Sequence, residues 1–420
     1  MKTRFANGAL AGVIASLATF ATAGAGVPVA FAAHTNVVID WNQTMLSTFQ
    51  TAGSPPPVAN RLGAIVQSAV FDAVNGIENR YTPIHVQPGA PAEADPHAAA
   101  AGAAYETLVD LFPSQTTALK AALTASLGDQ ADEGDAASIA AGLAWGTSVG
   151  DQTFAWRAAD GFSAPPPPYT FSSAPGQYQP TPGGSGPPKF RTLATTVPFV
   201  LTSPSQFRPA GPPALTSDRY TASFNEVKAL GGLTSTVRTA TQTETAKFWQ
   251  LDTPTGQWDR VADSLALDHH MNLMASARLL ARVNIAIADA TIAVFDAKNA
   301  YNFWRPVTAI RATSDPAWTP LLPTPAFQEY PSAHSGVSSA AASVLAAFYG
   351  NDTPFTVTSA GLPGVQRDFT SFTAAVLQVE DARIYAGFHF RFSCADAATL
   401  GAHVARYVTG TLMQPQHRTR

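Results

Sequence analysis

The chain has 420 residues, 46% of them hydrophobic and 13% charged, with a formal net charge of −4. That length buries a large core without covalent staples, and the apolar content excludes a disordered chain. An acidic balance without a basic run argues against a nucleic-acid partner, and the lone Cys394 excludes an internal disulfide and leaves no Cys/His zinc pattern.

Residues 1–32 have the three-part pattern of a secretory leader. Lys2 and Arg4 form a basic start, an apolar stretch follows, and Ala30-Phe31-Ala32 offers a cleavage site. The stretch from Ala9 to Ala25 is short and weakly apolar for a bilayer span, so the pattern predicts a secreted or periplasmic protein without a stable membrane anchor. VVIDWN at 37–42 and the SPPP turn at 54–57 then lead into a helix over 61–77. There Leu62, Ile65, Val66, Ala69, Val70, Ala73 and Val74 share one face. Further helices are expected at about 96–112, 115–127 and 133–158.

Residues 163–193 change character, since PPPPY and PGQYQPTPGGSGPPKF cannot hold a helix. They read as an excursion that wraps back over the protein on the aromatic anchors Tyr169, Phe171, Tyr178 and Phe190. Helical patterning resumes at 217–230, at 241–251 and over 258–302, with a break near His269–Met271. A helix over 332–349 and a final pair at 365–386 and 393–412 complete the chain. The expectation is an all-α, single helical domain over 33–420, built as one or two bundles, with its chemistry in 295–412.

Three polar clusters interrupt that apolar background: KNAYNFWRP at 298–306, PSAHS at 331–335 and ARIYAGFH at 382–389. Lys298 and Arg305 stand seven residues apart, which on one helix puts both on the same face, about 10 Å apart along the axis. Pro306 also favours a turn at Arg305. The intervening Tyr301, Phe303 and Trp304 suggest burial, and buried cations demand an anionic partner. Ser332 before an apolar helical run reads as an ordinary N-cap, and a helix start is also an anion site, with His334 in its first turn. Gly387 interrupts the last cluster and lets Arg383 and His389 converge. Asp72, Asp289 and Asp381 are the candidate carboxylates to support these groups.

Together, K-x6-R-P, P-S-x-H and R-x3-G-x-H resemble the signature of the vanadium haloperoxidase and type 2 phosphatidic acid phosphatase superfamily. The opening with Trp41-Asn42, Arg61 and Phe71–Ile77 also looks like its exported bacterial members. The resemblance implies a helical-bundle fold of the haloperoxidase and acid phosphatase type, with vanadate as cofactor. It assigns Lys298, Arg305 and Arg383 to the charge on the vanadate oxygens. Ser332 and the N–H of Ala333 would donate to them, His389 would bind vanadium, and His334 would be the acid–base catalyst. The family's usual Gly is Ala333 here, whose methyl would crowd the oxyanion.

The same pocket implies either of two chemistries. A haloperoxidase would oxidise bromide, or chloride, with hydrogen peroxide that Lys298 polarises, releasing hypohalous acid. Phe327, with Phe295 beside it, would wall the halide, although both rings also fit plain core packing. An exported acid phosphatase would instead use His389 as nucleophile on a phosphate ester and His334 as proton donor. A non-catalytic oxyanion-binding protein is the third reading, and retention of both histidines argues against it. Oligomeric state, monomer or homodimer, stays open.

Overall fold

The computed structural model describes residues 36–131 and 135–416. The leader expected over 1–32 lies outside the described residues. The architecture follows from one long apolar helix, α9 (Leu273–Tyr301), whose N-cap Asn272 accepts from the Ala275 N–H at 2.9 Å. Its residues from Leu279 to Phe295 are buried all round, the pattern of a helix enclosed by others. Around it pack α2 (Pro56–Glu78), α8 (Pro254–Asp268), α11 (Ala333–Tyr349) and α13 (Arg391–Thr411). A second layer, α3 (Pro96–Leu111) and α5 (Ala136–Ala158), lies against α2. The remaining helices are α1 (Val37–Thr51), α4 (Thr116–Ala131), α6 (Asp218–Leu230), α7 (Ala240–Gln250), α10 (Pro306–Thr313) and α12 (Phe372–Tyr385). Among the described residues the fold is all-α apart from one hairpin, and no helix is long and apolar enough to cross a membrane.

Helices α11 and α13 approach each other closely. A Cβ on Gly401 would lie 2.0 Å from the Gly336 carbonyl oxygen, so any side chain there would push the helices apart. The break between α8 and α9 falls at 269–272, where the sequence places it, but α8 starts earlier because Thr253 caps it and Pro254 opens it.

Three expectations are corrected. The segment 37–51 is itself a helix, whose Trp41, Met45 and Phe49 form a buried i, i+4, i+8 stripe. The expected helix over 365–386 begins only at Phe372. Residues Gln366–Phe369 pair instead with Phe355–Thr358 as the antiparallel strands β2 and β1, burying Phe355 and Val357, and Ser371 caps the helix that follows. Lys298 and Arg305 do not share a helix. Asn302 turns left-handed at φ 47° and ends α9, and Arg305 is the N-cap residue of α10.

The Pro/Gly excursion folds back across the C-terminal end of α9. The Tyr178 N–H donates to the Asn302 carbonyl at 2.7 Å, and the Trp304 N–H to the Gly176 carbonyl at 3.0 Å. Tyr169 donates its hydroxyl to Asn302 Oδ1 at 3.0 Å. Phe171 remains 52% exposed and anchors nothing in the core.

Two carboxyls of α8, Asp259 and Asp263, are buried one turn apart. Asn284 donates to Asp259 at 2.9 Å and Asn42 to Asp263 at 2.9 Å, while the second oxygen of each has no donor. Burial raises Asp259 from its ordinary value of 3.8 to about 8, against the lowering effect of Asn284 and Arg260. The folded protein therefore holds this proton more tightly than the unfolded chain does. That contribution to stability is complete below about pH 4 and is lost as pH rises toward 8. Asp259→Asn is accordingly expected to narrow the fall in Tm between pH 5 and pH 8. Melting curves of both proteins at the two pH values test this, and an unchanged difference would remove Asp259 as its source.

Candidate active site

A short strap, residues 327–329, organises the site. Its three successive carbonyls each accept from a buried cation. Arg305 Nε donates to the Phe327 carbonyl at 2.8 Å, and Lys298 Nζ donates to those of Gln328 and Glu329, both at 2.8 Å. Lys298 comes from the last turn of α9 and Arg305 from the start of α10, so the turn at Asn302 aims both inward. An ammonium has three donors, and two are engaged here, which leaves one for a ligand.

Arg383, in the last turn of α12, donates from Nη1 to Gln250 at 2.9 Å and lies 4.9 Å from the Phe388 ring. Gly387 then turns the chain at φ 80°, against the carbonyl of Gly231 at a point where a Cβ would be 2.5 Å away. No L side chain fits that turn, and the turn is what returns His389 to the cage. Arg305 Nη1 reaches His389 Nε2 at 3.0 Å and the Phe388 carbonyl at 3.0 Å.

That contact fixes the state of His389. A guanidinium only donates, so Nε2 carries the lone pair and Nδ1 the proton. Nδ1 in turn donates to Glu329 at 2.8 Å, on the same carboxylate oxygen that accepts from the Phe390 N–H at 3.0 Å. Burial and then Arg305, Lys298 and Arg383 push His389 well below its ordinary range, which agrees with a neutral ring. Burial raises Glu329 to about 7, against the pull of Lys298 and Arg305.

Ser332 occupies the N-cap position of α11, but its Oγ makes no capping bond. It accepts from Ser335 Oγ at 3.0 Å, which leaves its own proton to give away. The N-cap reading of Ser332 is thus corrected as to function. Ala333 opens the helix, and its methyl packs on the apolar side, toward Leu193, Ile292 and Phe295. His334 follows, half-buried, with Nε2 shielded from solvent and without a partner. Burial and then Arg383, Arg305 and Lys298 hold His334 well below its ordinary range.

The cage accumulates like charge. Burial, reinforced by Arg305, drives Lys298 well down, and burial brings Arg305 to about 10 and Arg383 to about 9. Polar atoms without a partner remain: the donors Arg305 Nη2 and Arg383 Nε, and the ring nitrogen His334 Nε2. Desolvated cations with unspent donors fit a multiply charged tetrahedral oxyanion.

Phe327 lies with its ring 5.3 Å from Lys298 Nζ and 4.9 Å from the Arg305 guanidinium, and 5.4 Å from the ring of Phe295. Asp72, Asp289 and Asp381 are elsewhere, which corrects all three as supporting carboxylates. Asp72 accepts the N–H groups of Ile84, His85 and Val86, Asp289 those of Phe199, Val200 and Leu201, and Asp381 pairs with Arg391. Glu329 was missed, although it stands three residues before Ser332. Cys394 is a buried thiol raised by burial to about 12.

A helical body built round such a cage, with a neutral histidine on each flank, has the form of an enzyme that works through an oxyanion. The family described as VCPO second helical-bundle domain matches residues 278–417. The vanadium chloroperoxidase of Curvularia inaequalis is 24% identical, over 87% of this chain and 80% of that protein. Among solved structures, a bacterial vanadium-dependent iodoperoxidase superposes with a TM-score of 0.81 at 25% identity, covering 91% of this chain and 98% of that one. An apo bacterial vanadium-dependent chloroperoxidase shares the fold, with a TM-score of 0.69 at 16% identity over 84% and 93% of the two chains. Over most of its length the chain is similar in sequence and fold to vanadium haloperoxidases.

Neutralising the cage with an anion lifts the repulsion from Arg383, Arg305 and Lys298 that adds to burial in disfavouring protonation of His334. Binding of sulfate near pH 6 should therefore be accompanied by proton uptake, and His334→Ala should reduce that uptake. Calorimetry in buffers of different ionisation enthalpy reads it directly, and equal uptake by both proteins would exonerate His334.

Proposed function

We propose that this protein is an exported, vanadate-dependent haloperoxidase that uses hydrogen peroxide to oxidise halide, bromide foremost, to hypohalous acid. The observation that carries the reading is the lone pair of His389 Nε2, held toward a cage of buried cations whose free donors suit an oxyanion. His389 would ligate vanadium through that atom. Lys298, Arg305 and Arg383 would balance the negative oxygens, with Ser332 Oγ and the Ala333 N–H as neutral donors. Bound vanadate would supply a Lewis-acidic centre that activates hydrogen peroxide without a change in oxidation state.

The rest of the chemistry belongs to the protein. The overall change consumes one proton, as halide, hydrogen peroxide and a proton give hypohalous acid and water. His334, unpartnered at Nε2, is placed to take up and deliver that proton once the anion has neutralised its neighbours. Lys298 has one donor left to polarise the peroxide oxygen. Glu329 holds His389 in the Nδ1–H tautomer and supports the basicity of Nε2, as carboxylate partners do for ligating histidines.

The neutral His389 would serve a phosphatase as nucleophile equally well. The aromatic side of the cage favours the halide, since Phe327 and Phe295 form an apolar wall suited to a large, weakly hydrated anion. The deciding experiment is bromide oxidation by the metal-free protein with and without orthovanadate, beside hydrolysis of a chromogenic phosphate ester. Activity on bromide that needs vanadate is expected. Ester hydrolysis inhibited by vanadate, without bromide oxidation, would make it a phosphatase.

His389→Ala should abolish activity, and Phe327→Ala should harm bromide oxidation more than any ester hydrolysis. Glu329→Ala should weaken vanadate binding by about 10–100-fold while the melting transition stays cooperative. Vanadate titration followed by 51V NMR measures this, and unaltered affinity would strip Glu329 of its role.

A further inference from the structure

Phe190 stands in a conformation that bulky residues avoid, at φ 61° and ψ 27° in the left-handed region. Such positions survive only where the surroundings impose them, and they cluster at functional sites. Here the neighbours do impose it. The Lys189 N–H donates to the Ala326 carbonyl at 2.9 Å, just before the strap. The Phe190 carbonyl accepts from the Leu193 N–H at 3.1 Å, and Arg191 donates to the Pro167 carbonyl.

The strained turn puts the ring against the cage wall. Phe190 meets Phe295 and Phe327 edge-on, each at 6.1 Å between centroids. Phe295 is fully buried, while Phe327, which faces Lys298 and Arg305, and Phe190 are both half-buried. Two rings reach the wall from the sequence around the cage. The third is supplied by the Pro/Gly excursion, more than a hundred residues away in the chain.

We propose that Phe190 is a halide-selecting residue, the third ring of the halide pocket's aromatic wall, which keeps water from the anion and so favours large, weakly hydrated halides. This rests on the haloperoxidase reading given above. An aromatic ring presents a positive edge and an apolar body, and both suit a polarisable anion better than they suit a hydrated one. Since the ring would bind halide without touching the peroxide, its loss should appear in KM more than in kcat.

The test uses the vanadate-loaded full protein with Phe190→Gly, which tolerates the left-handed turn, and Phe190→Leu, which keeps apolar bulk. In Phe190→Gly the KM for bromide is expected to rise about tenfold with kcat nearly unchanged and vanadate affinity intact. Phe190→Leu should fall between it and the parent. Phe190→Gly should also melt above Phe190→Ala, since only glycine is at ease at this φ. An unchanged bromide KM in Phe190→Gly that still binds vanadate would overturn the role of Phe190 and leave the haloperoxidase standing. A parent protein that binds vanadate but oxidises no halide would overturn the haloperoxidase and this inference with it.

Discussion

Everything at the centre of this protein answers to one electrostatic constraint. Lys298, Arg305 and Arg383 are all withdrawn from water and repel one another. Such an arrangement is tolerable only if each cation is partly satisfied by the protein and an anion satisfies the remainder. The structure supplies the first part through neutral dipoles, namely the carbonyls of the 327–329 strap, that of Phe388, and the side chain of Gln250. Carbonyls orient a cation without neutralising it, so the demand for a bound anion persists. The carboxylate of Glu329 stands within the cage, and its hydrogen-bonded oxygen is taken by His389 and the Phe390 N–H.

The scaffold follows from that requirement. Four helix termini and two turns converge on the cage: the C-terminal ends of α9 and α12, the starts of α10 and α11, the turn at Asn302 and the turn at Gly387. Placing reactive groups at helix ends gives each a defined direction, while the helix bodies bury enough apolar surface to keep the ends from yielding. The glycine contact locks α11 against α13, and the excursion adds Phe190 to the aromatic side of the cage.

The state of the histidines is likewise a property of the assembly. His389 is neutral and tautomerically fixed because Arg305 occupies one nitrogen and Glu329 the other. His334 is held well below its ordinary range by burial and then by the same cations that would attract an anion.

The sequence by itself determined the helical class and the break between α8 and α9, and it singled out Lys298, Arg305, Arg383 and His389, whose charges meet in the cage. Periodicity, turn residues and three short clusters are local signals, and a helix end with its side chains is a local object. It did not reveal that α9 stops at Asn302, that residues 37–51 form a helix, or that 366–369 pair as a strand. Each of those depends on what an apolar face finds to pack against. Nor did it select Glu329 over Asp72, Asp289 and Asp381, because the partner of a buried carboxylate is fixed by distances between segments far apart in the chain. Only tertiary structure decided that Asp72 and Asp289 would gather backbone N–H groups, that Glu329 would take His389, and that Phe190 would cross the fold to complete an aromatic wall.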